Sequence, residues 1–255
     1  DLATWSDAMA KISTALHKLS GREIAIITSA KLTNEELFMV RRLARLKGIQ
    51  NVDIVPRNEE SDGYLISEDR NPNTTGAKLV LGVDEPGAKL NAIKEGVTSG
   101  AIKALLVLQE DLIADAGFTA EDLSGLDLLV SMYPRVNATS DAADVVLPSA
   151  CWAEKAGSMI NVTGRLQRLN QVVDAPGQTL TPWEVVRDLI QALGGGNGIY
   201  SEQEIFKQLT KEIAEFKDLS WGKIGDLGIQ IVETGVEIPL LKREREKISR
   251  GEIVG

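Results

Sequence analysis

Residues 141–171 read DAADVVLPSACWAEKAGSMINVTGRLQRLNQ, and the rest of the chain is organised as a scaffold around this stretch. The apolar run 145–147 is short and β-branched, which predicts the end of a buried strand. Pro148 has no N–H to donate to a sheet, so the strand is expected to stop there. The polar segment that follows contains Gly157 and Gly164 and predicts a loop and a β-ribbon folded over a sheet.

Strand and helix patterns alternate through the first 150 residues. Apolar runs predict strands at 23–28, 52–55, 102–108, 126–131 and 145–147. Amphipathic spacing predicts helices at 5–19, 35–47 (with Asn34 as its N-cap), 88–97 and 114–123. This alternation predicts an α/β fold with a mainly parallel, doubly wound sheet. C-terminal helices are predicted to follow at 182–193 and 201–216.

The loops that leave the predicted strands are expected to meet at one edge of the sheet. They cover residues 28–34, 109–112, 133–139 and 148–154. In parallel sheets, ligands bind outside the carboxyl ends of the strands. Any pocket in this chain is therefore predicted at that edge.

Composition narrows the possible functions. The 255-residue chain has a net charge of −9, which argues against a nucleic-acid-binding surface and against binding to an anionic membrane. No apolar run is long enough for a membrane span, so direct membrane insertion is not expected. The single cysteine, Cys151, and single histidine, His17, exclude an internal disulfide, a thiolate-held iron–sulfur cluster and a His-rich metal site. Cys151 is expected to be an inert buried thiol.

Common catalytic and nucleotide-binding motifs are missing. The loop after the first strand contains no glycine, and the loop 109–112 is acidic, so neither fits a dinucleotide fingerprint. The glycine run at 194–198 follows a helix, which predicts a helix end rather than a phosphate loop. Ser149 lacks the flanking glycines of a nucleophile elbow. We therefore expect no catalytic residues.

Three successive motifs give the chain a specific resemblance. ADVVLP at 143–148, WAEKAGS at 152–158 and NVTGRLQ at 161–167 together resemble the signature of the molybdopterin oxidoreductase superfamily. With WSDAM at 5–9 and LTNEE at 32–36, the chain looks most similar to the large iron–sulfur subunit of NADH:quinone oxidoreductase, complex I.

The resemblance implies a domain arrangement. Residues 1–194 are expected to form a reduced version of the formate dehydrogenase/DMSO reductase type of α/β domain. A linker at about 57–77 would replace a long nucleotide-binding segment of catalytic relatives. Residues 195–255 are expected to form a helical extension with a charged tail that is exposed or disordered.

The resemblance also implies a function. The leading hypothesis is a non-catalytic structural domain that braces the peripheral arm of complex I on the cytoplasmic face of the inner membrane and contacts other subunits of that complex. It implies no cofactor in this chain, with iron–sulfur clusters held in a region before Asp1. The alternative is a reduced molybdopterin- or nucleotide-binding oxidoreductase domain with its pocket at the strand carboxyl ends.

Six residues are the candidates if a cofactor does bind. They are Ser29, Asn34, Glu154, Asn161, Arg165 and Gln167. The competing interpretation, which we favour, is structural: Glu154 and Arg165 form a partly buried ion pair that pins the ribbon to the sheet.

Overall fold

The computed structural model describes residues 3–196, 198–236 and 238–250, and it is built on a five-stranded parallel sheet. The strands are β1 (Ile24–Thr28), β2 (Asn51–Ile54), β3 (Ala104–Leu108), β4 (Leu128–Tyr133) and β5 (Val145–Pro148). Their order across the sheet is β2-β1-β3-β4-β5, and every neighbouring pair is parallel. Every residue of β1 and β3 is buried, as expected for parallel strands covered on both faces.

Helices cover both faces of this sheet, so the predicted doubly wound α/β fold is confirmed. The longer ones are α1 (Trp5–His17), α2 (Asn34–Lys47), α3 (Thr74–Leu81), α4 (Leu90–Thr98), α8 (Pro182–Ala192), α9 (Glu202–Glu212) and α11 (Pro239–Ser249). The short ones are α5 (Leu112–Asp115), α6 (Ala120–Leu123), α7 (Ala138–Asp141) and α10 (Trp221–Ile224). Alternate strand residues point to opposite faces: Ile26 enters the core shared with α1, α2 and α8, whereas Ile27 enters the core under α4 and α6.

The predicted ribbon is also present. It consists of β6 (Gly157–Ile160) and β7 (Arg165–Leu169), paired antiparallel, with the short strand β8 (Ile229–Gln230) on the other side of β7. Gly164 has a φ of +87°, and a Cβ there would lie 1.8 Å from the carbonyl oxygen of Val232. Only glycine fits this turn, because a side chain would be strained and would collide with backbone.

Three local expectations were wrong in detail. Thr33, and not Asn34, is the N-cap of α2, because its hydroxyl accepts a hydrogen bond from Glu36 N. The predicted 57–77 linker is shorter, since α3 begins at Thr74. The helix predicted at 114–123 is divided into α5 and α6, with Gly117 in a left-handed conformation between them.

The C-terminal helices share the core of the sheet domain. Ile205, Phe206 and Leu209 of α9 are buried in the same cluster as the apolar face of α2. Most described residues of the charged tail are exposed, as expected, and they form the helix α11, while residues 251–255 lie outside the described part of the chain. Within the described residues, no helix is both long enough and apolar enough to cross a bilayer.

Candidate functional site at the strand carboxyl ends

A cavity of about 710 Å³ opens at the carboxyl ends of the strands and is bordered by the ribbon. Lys31 follows β1, Gln109 follows β3, Tyr133 ends β4 and Ser149 follows β5, and all four line it. The predicted meeting of these loops at one edge is therefore confirmed. Chain order reverses between β1 and β3, which is where open α/β sheets bind ligands. The volume lies within the ~300–1,000 Å³ of small-molecule sites.

Gln109 has an unusual backbone on the wall of this cavity. Its φ is +63°, in the left-handed region that non-glycine residues rarely adopt. Two contacts hold it there: its N–H donates to Met132 O at 2.8 Å, and its side-chain amide donates to Ser149 Oγ at 2.7 Å. Strained residues of this kind concentrate at binding sites, because the surrounding structure must offset their cost.

A buried acid behind the cavity is paired with an arginine. The carboxylate of Glu110 accepts two hydrogen bonds from Arg57, one of them at 2.9 Å from Nη1, and Arg57 also donates to Asp115 at 2.7 Å. The hydrogen bond and charge of Glu110 raise the pKa of Arg57 above its ordinary value. Lys31 lies 3.9 Å from Glu110, at the limit of an ion pair, and 5.7 Å from the ring centroid of Tyr133.

The N-terminus of α2 lies under the ribbon and is closed by buried side chains. Glu36 accepts a hydrogen bond from Thr33 N at 2.7 Å and forms an ion pair with Lys155, whose Nζ lies 2.6 Å from the Glu36 carboxylate. Glu35 accepts hydrogen bonds from both the N–H and the hydroxyl of Ser158, at 2.7 and 2.6 Å. All five side chains are buried. This end of the helix therefore meets carboxylates of the protein itself, the charge that the helix dipole favours.

Two asparagines extend this hydrogen-bond network from Ser158 to Ile160 of β6. The side-chain amide of Asn34 donates to Ser158 Oγ at 3.1 Å, and that of Asn73 donates to Asn34 Oδ1 at 3.1 Å. The N–H of Ile160 in β6 donates to Asn73 Oδ1 at 2.7 Å. Side chains from α2 and from the start of α3 thus replace a strand partner for β6.

Burial changes the protonation of Glu35. Removal from water raises its pKa to about 7, and the neighbouring charge of Glu36 acts in the same direction. The hydrogen bonds from Ser158 oppose this rise because they favour the ionised form. Two carboxyl groups here face one ammonium group, Lys155, so a proton on Glu35 would balance the buried charge.

The six candidate binding residues do not all line one cavity, although Asn161 donates a hydrogen bond to Gln167 at 3.3 Å and both line a smaller cavity of about 240 Å³. Glu154 lines the strand-end cavity, whereas Ser29 and Asn34 are buried, and Asn34 donates a hydrogen bond to Ser158 of the ribbon. Asn161 organises the ribbon turn by accepting hydrogen bonds from Thr163 and Arg165, and the remaining candidates lie on β7. The candidates on β7 are Arg165 and Gln167.

The expected Glu154–Arg165 ion pair is wrong. The guanidinium of Arg165 donates to the carbonyl oxygens of Leu227 and Gly228, at 3.2 and 2.8 Å. Glu154 instead accepts a hydrogen bond from Cys151 N at 2.9 Å. Arg165 holds the segment that leads into β8 against the ribbon, a partner more than 60 residues away that no local pattern indicates.

Several residues of the site carry no recognisable sequence signal. Lys31, Gln109 and Arg135 are ordinary polar residues in loops, and only the tertiary fold brings them to one cavity. Glu35 and Glu36 fit the pattern of acidic residues commonly found in the first turn of a helix. That pattern gives no indication that the two side chains are buried. Cys151, expected to be buried, is half-buried and lines the cavity.

No group of three or more histidine, cysteine, aspartate or glutamate side chains comes together as a possible metal site within the described ranges. Three cationic residues, Lys31, Arg135 and Lys155, line the cavity together with the carboxylate of Glu154 and several aromatic and apolar surfaces, and Lys155 is already paired with Glu36. These groups can bind and orient a partner or ligand.

Residues 70–192 match the family model described as molybdopterin oxidoreductase. The chain is 38% identical over 134 residues to the F420-dependent formate dehydrogenase 2 subunit alpha of Methanococcus maripaludis, covering 51% of this chain and 20% of that protein. It is 31% identical over 178 residues to the F420-dependent formate dehydrogenase subunit alpha of Methanocaldococcus jannaschii, covering 66% and 24%. The chain thus matches about a fifth to a quarter of the length of these relatives.

Among solved structures, the chain is similar to acetylene hydratase from Pelobacter acetylenicus. The TM-score is 0.38 and the identity 19%, over 53% of this chain and 20% of that one. This likeness is too low to carry an argument about the fold, which rests on the sheet described above.

The matched family implies a molybdopterin cofactor. The N-terminus of α2 is the place where a phosphate group of such a cofactor could be expected to bind. Phosphates bind at helix N-termini through free N–H groups and the positive end of the dipole. Here Glu35 and Glu36 occupy that end, and a Cβ on Gly157 would lie 2.5 Å from the side chain of Thr33, so the ribbon packs directly against it. The residues at this helix end do not fit a phosphate group.

Proposed function

Because the chain carries a molybdopterin oxidoreductase-family domain, we propose that it is a non-catalytic structural domain in the large subunit of a multi-subunit oxidoreductase. Our specific candidate is the large iron–sulfur subunit of a respiratory NADH:quinone oxidoreductase. The domain braces the peripheral arm on the cytoplasmic face of the membrane and presents surfaces to neighbouring subunits. It binds no molybdopterin of its own.

The closed N-terminus of α2 is the observation that carries this proposal. A phosphate-binding α/β domain leaves such an end open to its ligand. In this chain two buried carboxylates and the cation of Lys155 take that position, and β6 covers them. A phosphate would have to displace both the ribbon and these buried side chains, so the arrangement favours a structural role.

The choice of complex I rests on the motif resemblance at residues 5–9, 32–36 and 143–167. The relatives named above are formate dehydrogenase subunits, and their names support the wider oxidoreductase assignment. The identity of the subunits that accompany this chain in its native complex therefore distinguishes complex I from a formate dehydrogenase.

A second candidate function is favoured by the cavity. A reduced molybdopterin- or nucleotide-binding oxidoreductase domain would hold its ligand at the strand carboxyl ends, where a cavity of about 710 Å³ is lined by Lys31 and Arg135. Cations of this kind neutralise phosphate groups. The two candidates differ in whether a cofactor stays with the purified chain.

The test is to purify the native complex through a tag on this chain and to measure its molybdenum by mass spectrometry and its pterin by fluorescence after oxidation. We expect NADH:quinone oxidoreductase subunits in the complex and neither molybdenum nor pterin in amounts matching the chain. A formate dehydrogenase purified in the same way is the positive control. Stoichiometric molybdenum and pterin would overturn the structural role, and formate dehydrogenase partners would overturn the choice of complex.

A further inference from the structure

The cavity at the strand ends contains cations with unused binding capacity in a protein of net charge −9. Arg135 is exposed and makes no hydrogen bond or ion pair within the described part of the chain, and Lys31 is only loosely paired, 3.9 Å from a Glu110 that Arg57 already satisfies. Both side chains line the cavity. Together they outnumber Glu154, the one carboxylate among the described residues that line the cavity, so the site has a net positive charge that would attract an anionic group.

Exposed apolar side chains flank the cavity that these cations line. Trp152 lines the cavity and is 68% exposed, and Val136, next to Arg135, is 77% exposed. Val172 and Val173 are exposed as well, and both of their N–H groups donate to the carbonyl oxygen of Ala153, which places them beside Trp152. Exposed aromatic and aliphatic groups with an arginine among them are typical of protein-binding surfaces.

We propose that this strand-end cleft, the cavity together with Val136, Trp152, Val172 and Val173, receives an extended peptide segment of a partner subunit. An aspartate or glutamate of that segment lies between Lys31 and Arg135, and its apolar side chains pack on Trp152. The inference rests on the proposed function and deepens it, since it assigns the surface through which the domain contacts its complex.

A peptide suits the cleft better than a phosphate-bearing small molecule. The helix end that would bind a phosphate is closed by Glu35 and Glu36. The apolar surface continues past the mouth of the cavity to Val172 and Val173, which a ligand confined to the cavity would leave uncovered. A carboxylate needs only the two side-chain cations, and Arg135 can bind it through two parallel hydrogen bonds.

The first experiment places a photoreactive benzoylphenylalanine at position 152 of the chain within the tagged native complex. After irradiation we expect one cross-linked partner peptide that contains an acidic residue next to apolar residues. The matched control carries the same group at Tyr200, an aromatic residue that is 72% exposed and does not line the cavity. A cross-linked peptide without a carboxylate, or the same peptide from both positions, would contradict the proposal.

The second experiment measures the affinity of the cross-linked peptide, made synthetically with a fluorescent label, for the full chain. Arg135→Glu should weaken binding at least tenfold, on the order of 1.4 kcal/mol. Replacing the acidic residue of the peptide by lysine should restore it. Arg45→Glu, a charge reversal on an exposed arginine paired with Glu212 outside the cleft, should leave the affinity unchanged. Equal binding by the Arg135 variant would refute the assignment.

These outcomes separate the docking site from the function it rests on. If position 152 gives no cross-link while the chain still copurifies with its oxidoreductase subunits and without pterin, the cleft is not the interface and the structural role stands. If a pterin or nucleotide is retained in the cleft, both proposals fail together and the second candidate function replaces them.

Discussion

At the scale of single residues, the buried carboxyl group of Glu35, which binds the ribbon, makes the stability of the fold depend on pH. Its pKa of about 7 in the folded protein lies above the ordinary value of 4.5, because burial penalises its charge. The folded state therefore binds this proton more tightly than the unfolded state does. The stability that the protonated group contributes is complete below about pH 4.5 and is lost as the pH rises through about 7.

Glu35→Gln is expected to flatten this pH dependence, because glutamine cannot ionise. In the wild type, the free energy of unfolding should fall by up to about 1.4 kcal/mol per pH unit as the pH approaches 7. Urea unfolding at about pH 5.5 and pH 8.5 measures the difference. Gln203→Ala, at an exposed residue without an ionisable group, is the control and should keep the wild-type slope. An unchanged slope in the Glu35 variant would show that Glu35 does not titrate in this range.

At the scale of elements, the ribbon is fixed to the sheet domain by a close approach at one glycine. The backbone of Gly157 faces Thr33, and a Cβ would lie 2.5 to 2.8 Å from three atoms of that side chain. Thr33 cannot yield, because its hydroxyl caps α2 and its N–H is bound by Glu36. The first residue of β6 and the first turn of α2 therefore form a single packed unit.

Gly157→Ala should displace the ribbon and destabilise the protein by about 1–3 kcal/mol, the usual cost of overpacking. Gly125→Ala is the matched control, since a Cβ there meets nothing within 4 Å and should change stability by less than about 0.5 kcal/mol. Urea unfolding gives both values, and amide hydrogen exchange at 158–160 reports whether the ribbon has loosened. Similar stability of the two variants would mean that the ribbon is not tightly docked.

At the scale of the whole molecule, the C-terminal helices belong to the same cooperative core as the sheet. Phe206 is buried and makes edge-on ring contacts with Phe216 and Trp221, with centroids 6.0 and 5.6 Å apart. Arg42 and Arg45 of α2 also bind Gln208 and Glu212 of this region. A shared core of this kind should unfold in one step.

Phe206→Ala should lower the stability of the entire protein by about 3–5 kcal/mol, because it leaves a cavity between the C-terminal segment and the domain. Circular dichroism and tryptophan fluorescence should report one coincident transition in both wild type and variant. Tyr200→Ala, at an exposed ring, should have little effect. Two separate transitions would show instead that residues beyond 196 form an independent unit.

The sequence by itself determined the α/β class, the strand positions and the ribbon. These features follow from local patterns: apolar runs such as 104–108, helical spacing in α2, and glycines at the ribbon turn. The sequence also placed any pocket at the strand ends, because parallel strands put their carboxyl ends on one edge. The predicted contact between Glu154 and Arg165 failed, since pairing depends on the direction of each side chain in space.

Only the tertiary structure decided what lies at that edge. Lys31 is more than 100 residues from both Arg135 and Trp152 in the chain, and the three meet because their strands are neighbours or near neighbours in one sheet. Likewise, Glu36 and Lys155 are 119 residues apart, and folding the ribbon onto α2 turns two ordinary surface-type residues into a buried pair. Burial and long-range pairing depend on the arrangement of whole elements, so no local pattern in the sequence encodes them.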